Sequence, residues 1–397
     1  MRDFCGMIRP DVLRAAQNEL ERKGPRATWP LYWAKYQLLA AEKDWLVHYD
    51  AYAAKWPRLM AEPDFAPPPS ANAEQASSQA TALWRGRWLR DHTDAPKEGP
   101  LARRALDLTG GSGIDCWGLE HAGFSVTAVE PDAHLVELLR WNGQRLGRTV
   151  ISGSAENQSF EHDAFDWVFV DPSRREATGR VALSDLGQPD PKINLRSWQH
   201  WGQQVALKLS PMLDANEVAR WFPEAEELCY VSIRREVKEL VVRIPRQKKH
   251  EAQVVAVSID EDGRELLRWT TDRSALPTRA SEVQTFLFDP DPALAASGGA
   301  ASWAAAHGLQ SLHPDSRLYT AEVRHELPGC RVFRVDSIHA VPPRDLGSAS
   351  VVARAFPERA DVLRRRLRLA EDSERFLFAT RLAGSPAHVY IVATRLA

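Results

Sequence analysis

Ala105-Leu-Asp-Leu-Thr-Gly-Gly-Ser-Gly-Ile-Asp115 is the stretch that decides the fold. An apolar run ends on Asp107, turns through Gly110, Gly111 and Gly113, and passes into a helical pattern. Glycine lets a backbone turn tightly and approach a ligand closely. The next apolar run, residues 125–130, ends on Glu130, and an acid at that place can bind ribose hydroxyls. The pattern therefore predicts a nucleoside-containing ligand in the middle of the chain.

Outward from this turn, strand-like runs alternate with helical ones. Strands are predicted at 101–108, 125–130, 149–152, 167–171 and 204–208, with a helix over 135–146. Such alternation predicts a parallel sheet covered by helices on both faces. Three further strand-like runs, 228–233, 240–244 and 254–259, suggest an antiparallel addition at the sheet edge. Upstream, residues 1–60 carry apolar positions at helical spacing, among them Leu38, Leu39, Trp45, Leu46, Tyr49 and Tyr52. Pro63, Pro67, Pro68 and Pro69 make 61–70 a loop, and one helix is predicted over 74–89. Downstream, 270–282 reads as a loop. It leads to an α+β segment with strands near 330–338 and 387–393 and an Arg-rich helix over 359–369.

The chain has 397 residues, enough for two or three cores, and a formal net charge of -2. That balance excludes a global preference for nucleic acid or membrane, so any basic surface must be local. Cys5, Cys116, Cys229 and Cys330 lie far apart, with no Cys/His metal spacing. They read as small buried residues of a protein in a reducing, cytoplasmic compartment. No apolar signal core and no membrane-spanning run is apparent, and no metal is expected.

Two ligand classes use a glycine turn followed by an acid-tipped strand: dinucleotides and S-adenosylmethionine. Counting GxGxxG from Gly111 places Cys116 where the third glycine should stand. Asp107 before the turn and Asp115 after it would repel a pyrophosphate but suit a sulfonium and an amino group. The methyl-donor reading is favoured over the dinucleotide one and over a turn with no ligand.

The turn and its companions resemble the class I methyltransferases that carry a THUMP-like C-terminal domain. The resemblance rests on 74–82 (Glu-Gln-Ala-Ser-Ser-Gln-Ala-Thr-Ala), 107–115, Asp171-Pro-Ser-Arg-Arg175 and Leu207-Lys-Leu-Ser-Pro211. It continues through Glu236-Val-Lys-Glu239, Arg354-Ala-Phe-Pro357 and Leu363-Arg-Arg-Arg-Leu-Arg-Leu369, so it covers roughly 70–397. It implies an α/β fold: a seven-stranded Rossmann-like class I methyltransferase sheet with an N-terminal helical region and a C-terminal α+β THUMP-like domain. The corresponding divisions are 1–90, 91–269 and 280–397. It implies S-adenosyl-L-methionine as cofactor. Asp107, Thr109, Gly110, Gly111, Gly113 and Asp115 would line its methionine side, and Glu130 would hold its ribose. Glu156 would lie near its adenine, the alternative being an exposed loop acid.

Asp171, Pro172, Ser173 and Arg174 follow the apolar run 167–170 and leave the sheet beside the glycine turn. Amine-directed nucleic-acid methyltransferases often read Asp/Asn-Pro-Pro-aromatic here, where the aromatic stacks on a flipped base. Ser173 and Arg174 depart from that pattern, which weakens the expectation of amine methylation. Five-methyluridine RNA methyltransferases carry Asp-Pro-Pro-Arg and a later nucleophilic cysteine. Ile233 stands at the comparable place, and Cys229 is predicted to face elsewhere within a strand. A lysine ending an apolar strand is costly to bury unpaired, so Lys208 is expected to pair with Asp171, as a structural ion pair or to position the acceptor.

Arg243, Arg246, Lys248, Lys249 and His250 form one basic run, and Arg364, Arg365, Arg366 and Arg368 another. Both could be solvated surface, or could hold phosphates of RNA, with tRNA or rRNA as the polymer. The tryptophans mostly sit at helical spacing and read as core. Two alternatives stay open: methylation of a small molecule or protein, and a non-catalytic RNA-binding protein with a vestigial cofactor site.

Overall fold

The computed structural model describes residues 34–62, 65–93, 103–173, 186–385 and 387–396, together with Val12, Ala15 and Asn18. Three short helices, α1 (Ala40–Val47), α2 (Tyr49–Lys55) and α3 (Pro57–Ala61), precede α4 (Ser70–Gln75) and α5 (Gln79–Asp91). The single helix predicted over 74–89 is thus broken. Ser78 takes the N-cap of α5, its hydroxyl accepting the Thr81 N–H at 3.2 Å, and Ala76 is extended. Serine competes for backbone donors in this way, which favours a cap over a helix interior. Around the prolines, Ala66 is fastened to Asn142 by two hydrogen bonds of 2.8 Å, so that loop is packed.

The sheet that follows holds β1 (Arg103–Asp107), β2 (Phe124–Glu130), β3 (Thr149–Ser152), β4 (Phe165–Val170), β5 (Gly202–Leu209), β6 (Glu227–Ile233), β7 (Glu236–Pro245), β8 (Gln253–Ile259) and β9 (Glu265–Thr270). Their order is β3-β2-β1-β4-β5-β7-β6-β8-β9. The expected seven strands are therefore extended to nine by β8 and β9 at one edge. The addition is not simply antiparallel: β7 and β9 oppose their neighbours, whereas β8 runs parallel to β6. Helices α6 (Ile114–His121), α7 (Ala133–Gly143), α8 (Pro191–Trp201) and α9 (Ala215–Trp221) connect the strands. β4 is covered on both faces, with Trp167, Val168, Phe169 and Val170 all buried. This is the expected composition of a central parallel strand.

The N-terminal helices share a core with α6, in which Trp56, Leu59 and Leu83 meet Ile114 and Trp117. α5 and α6 cross where Ala82 and Gly86 face Gly118 and Ala122; a Cβ on either glycine would collide with backbone of the other helix.

A second sheet has order β11-β12-β10-β13-β16-β15-β14. It comprises β10 (Phe286–Pro290), β11 (Gln310–Ser311), β12 (Tyr319–Ala321), β13 (Cys330–His339), β14 (Ser350–Ala353), β15 (Arg375–Arg381) and β16 (His388–Arg395). Helices α10 (Pro292–Ala296), α11 (Ala300–Ala306) and α12 (Ala360–Leu367) accompany it. Alternate residues of β15 serve two cores: Phe376 and Phe378 pack with Phe333, while Leu377 and Ala379 pack with Leu363 of α12. The two sheets also share one cluster, in which Tyr230, Ala256 and Leu267 meet Phe288, Ala293 and Trp303. Among the described residues, no helix is long and apolar enough to cross a membrane.

Candidate active site

The tips of β1, β2 and β4 and the turn after β3 surround a cavity of about 580 Å³, whose wall includes Thr109, Gly111, Asp115, Glu130, Glu156 and Asp171. Gly111 and Gly113 adopt φ of 50° and 80°, which favours glycine. A Cβ on Gly110 would stand 2.9 Å from Leu139 Cδ1 and 3.3 Å from the Val129 carbonyl, so the turn could not close on β2.

Each acid around this turn is held differently. Glu130 accepts the Gly111 N–H at 2.8 Å through one oxygen and the Asp132 N–H at 2.9 Å through the other. Burial nevertheless pushes its carboxyl upward. Asp107 is fully buried beneath the turn rather than on the cavity wall. It accepts the Thr109 N–H at 3.0 Å and the Cys116 thiol at 3.2 Å. Burial and the nearby Asp115 charge raise its pKa to about 7. Burial would also raise Asp115, but the Arg85 and Lys208 charges outweigh it and hold Asp115 below the ordinary carboxylate range.

Arg85, in the middle of α5, is itself 2% exposed. It bridges Asp115 on the cavity wall to Glu239 of β7, whose side chain is also 2% exposed, and donates to the Ser77 hydroxyl at 2.8 Å. Ser77 in turn donates to Asp115 at 2.9 Å.

At the β4 tip the Asp171 N–H donates to the Thr109 hydroxyl at 2.8 Å, tying it to the glycine turn. Lys208 at the end of β5 meets Asp171 Oδ2 at 2.5 Å. Burial would lower the Lys208 pKa, but Asp171 and Asp115 outweigh that and raise it. Ser173 exchanges two backbone hydrogen bonds of 3.0 Å with Gln188, which closes one side of the cavity.

Among solved structures, a protein from Porphyromonas gingivalis W83 provisionally named a methyltransferase aligns over 98% of both chains, with TM-score 0.76 and 23% identity. Residues 330–395 match the family described as THUMP domain-like. The chain shares the fold of that Porphyromonas gingivalis protein over nearly its whole length, and its C-terminal segment is THUMP-like. A Listeria monocytogenes protein provisionally named a class I S-adenosylmethionine-dependent methyltransferase aligns over 63% of this chain and 84% of that one (TM-score 0.39, 10% identity). A type I restriction-modification methyltransferase subunit from Streptococcus thermophilus aligns over 46% and 47% (TM-score 0.35, 13% identity). No curated protein matches the sequence.

On this fold, Thr109, Gly110, Gly111, Asp115, Glu130, Glu156, Asp171 and Ser173 all face the one cavity. Gly113 faces a separate hollow behind the turn, beside Trp117 and Arg148, and Pro172 and Lys208 line an adjoining cavity of about 290 Å³. Arg174 lies outside the described residues. Glu156 is exposed and accepts from Ser154. Cys229 is buried within β6, as expected, and burial pushes its thiol well up. Cys116 is buried too, whereas Cys330 is partly exposed and Cys5 lies outside the described residues.

Sequence reasoning missed the roles of Asn72, Gln75 and Ser77, which bring the N-terminal region onto the cavity wall. It also missed Arg85, which joins the quoted stretches 74–82 and 236–239. The recurrence of those two stretches in the resemblance was the available signal.

The basic runs are largely occupied. Arg243 pairs with Glu226 at 2.7 Å, and Arg246 pairs with Asp163 and donates to the Gln199 carbonyl at 2.6 Å. Arg364, Arg365 and Arg366 pair with Glu371, Asp361 and Glu358. Trp84, Trp88, Trp117, Trp198 and Trp201 are core residues.

Proposed function

We propose that this chain transfers a methyl group from S-adenosylmethionine to RNA, with tRNA or rRNA as the polymer. One observation carries the reading: the glycine turn, Glu130, Glu156 and Asp171, from four neighbouring strands, bound a single cavity. The donor set fits the cofactor. Glu130 has acceptor capacity beyond its two backbone donors for ribose hydroxyls. The acidic wall suits a sulfonium and an α-amino group and opposes a pyrophosphate. The cofactor supplies an electrophilic methyl group.

In this reading Thr109, Gly110, Gly111 and Asp115 line the methionine side, and Glu156 stands near the adenine. Asp107 and Gly113 shape the turn from behind. Asp171 and Lys208 orient the acceptor, with Pro172, Ser173 and Arg174 beside it. Alignment of donor and acceptor supplies most of the barrier reduction when the acceptor already has a free lone pair. The divisions 1–90, 91–269 and 280–397 belong to the same proposal.

RNA as acceptor is supported by the THUMP-like segment. A small-molecule or protein acceptor is favoured by a different observation, the pairing of both basic runs with local acids. Calorimetry with S-adenosylmethionine tests the enzyme reading: saturable binding is expected, weakened at least about tenfold in Glu130→Ala, the cost of a charge-assisted hydrogen bond. No binding to the wild-type chain overturns it and leaves a non-catalytic protein. Mass-spectrometric nucleoside analysis of RNA from cells with and without the gene tests the acceptor. An unchanged nucleoside profile overturns RNA.

A further inference from the structure

A second cleft, of about 780 Å³, runs beside the cofactor cavity. One wall is the end of α2 with the α4–α5 junction, and the other is the turn between β6 and β7. Gln75, Ala76 and Ser77 are common to both hollows, so a thin strip of backbone separates them. Lys208 lines this cleft and also the smaller cavity it shares with Asp171, so the three spaces meet at the Asp171–Lys208 pair. We infer that this cleft binds the methyl acceptor through a phosphate group held by Lys55, Lys208 and Lys238.

The three ammoniums come from separate elements: Lys55 from the last turn of α2, Lys208 from β5 and Lys238 from β7. Lys208 is balanced by Asp171, and Lys238 reaches Glu236 at 2.5 Å on an exposed pair. Exposed pairs of that kind are weak and readily exchanged for a better anion. Lys55 donates to the carbonyls of Ala73 at 2.6 Å and Glu74 at 3.2 Å and forms no ion pair among the described residues. Those carbonyls fix its direction without cancelling its charge.

Among the cleft acids, Glu239 is buried against Arg85, Glu261 pairs with Arg234 at 2.6 Å and Glu236 with Lys238, while Glu74 is exposed beside Lys55. Burial and the charges of Lys208 and Lys238, partly opposed by Glu74 and Asp115, push Lys55 down to about 8. Lys55, without an ion pair among the described residues and facing the other two ammoniums across the cleft, is the cation an incoming anion relieves. Phosphate oxygens accept charge-assisted hydrogen bonds from lysine as a point charge, without a fixed fork geometry. A phosphate held there sets its neighbouring base or side group toward Asp171.

The inference rests on the methyltransferase reading for the word acceptor, but phosphate binding does not. The full chain is titrated with inorganic phosphate, uridine 5′-monophosphate and a short labelled single-stranded RNA, with S-adenosylmethionine calorimetry run separately. Lys55→Gln and Lys238→Gln are each expected to weaken phosphate-bearing ligands about tenfold. Both should leave thermal stability and cofactor affinity within twofold, and Lys55→Arg should recover most of the loss. Competition by the mononucleotide identifies a free phosphorylated acceptor, and competition by RNA alone identifies the polymer; either supports the site. Wild-type affinity in both Gln variants, or no binding of any of the three probes, overturns it. Phosphate binding without cofactor binding keeps the cleft and overturns the enzyme reading.

Discussion

Two carboxylates separated by one turn are shifted in opposite directions here because their neighbours differ. Asp107 has a thiol, an amide and another acid around it, whereas Asp115 has Arg85. Asp107 has its folded pKa raised to about 7, so its contribution to stability is complete below the ordinary carboxylate pKa and is lost as pH rises through 7. Asp107→Asn should remove that loss. Its melting temperature, compared with that of the wild type from pH 5 to pH 8, should improve relatively as pH rises; a constant difference refutes the raised pKa. At the β4 tip, Asp171→Ala should reduce methyl transfer at least about a hundredfold, a loss of about 3 kcal/mol, while leaving cofactor affinity nearly unchanged. Unchanged turnover on the true substrate would remove Asp171 from the acceptor side. Sequence pattern located Asp107 at a strand tip and Asp115 just after the glycine turn. Which way each carboxylate faces depends on packing from α5 and α6, and no local spacing encodes that.

At the scale of elements, α5 presents an arginine inward rather than to water. Arg85 occupies an ordinary-looking position in Gln79–Asp91, and a charged residue in a helix reads by default as solvated. Only the arrival of Asp115 and Glu239 from two other elements makes its burial tolerable. Arg85→Met should therefore destabilise the fold by about 3–5 kcal/mol, the cost of leaving buried acids unpaired, as measured by chemical denaturation. The helix crossing beside it is equally tight. Gly118→Ala should cost about 1–3 kcal/mol through overpacking against Ala82; a neutral result would mean the helices separate freely. The strands of the first sheet up to β8 were legible because their apolar runs are bounded by turn residues. In the second sheet β10, β11, β12, β14 and β15 escaped, the first four being short. β15 is apolar on both faces because separate cores cover each, so it shows no alternation.

Across the whole molecule, the two sheets are joined by charge and hydroxyl contacts as well as by shared apolar packing. Asp289 is 3% exposed and takes both Arg235 at 2.9 Å and Arg331 at 2.5 Å. Asp291 caps α10 and accepts the hydroxyls of Ser232 at 2.5 Å and Ser258 at 3.1 Å, from β6 and β8. The sequence suggested a loop between two separable parts, and it carries no mark of this seam because its partners lie in different strands. Asp291→Ala should lower stability by about 2 kcal/mol, from a lost cap and exposed demand in buried hydroxyls. Differential scanning calorimetry should show one shifted transition; two resolved transitions would refute the coupling.

The α5–α6 crossing also bears on the order in which the chain assembles. Its two helices flank β1 in sequence, so their contact closes a shorter loop than the pairing of β1 with β4. Short loops close at lower entropic cost and dominate early folding. The helix pair is thus a natural nucleus, formed before the cavity exists. Gly118→Ala would then slow refolding more than it speeds unfolding, a distinction the two arms of a chevron plot read directly.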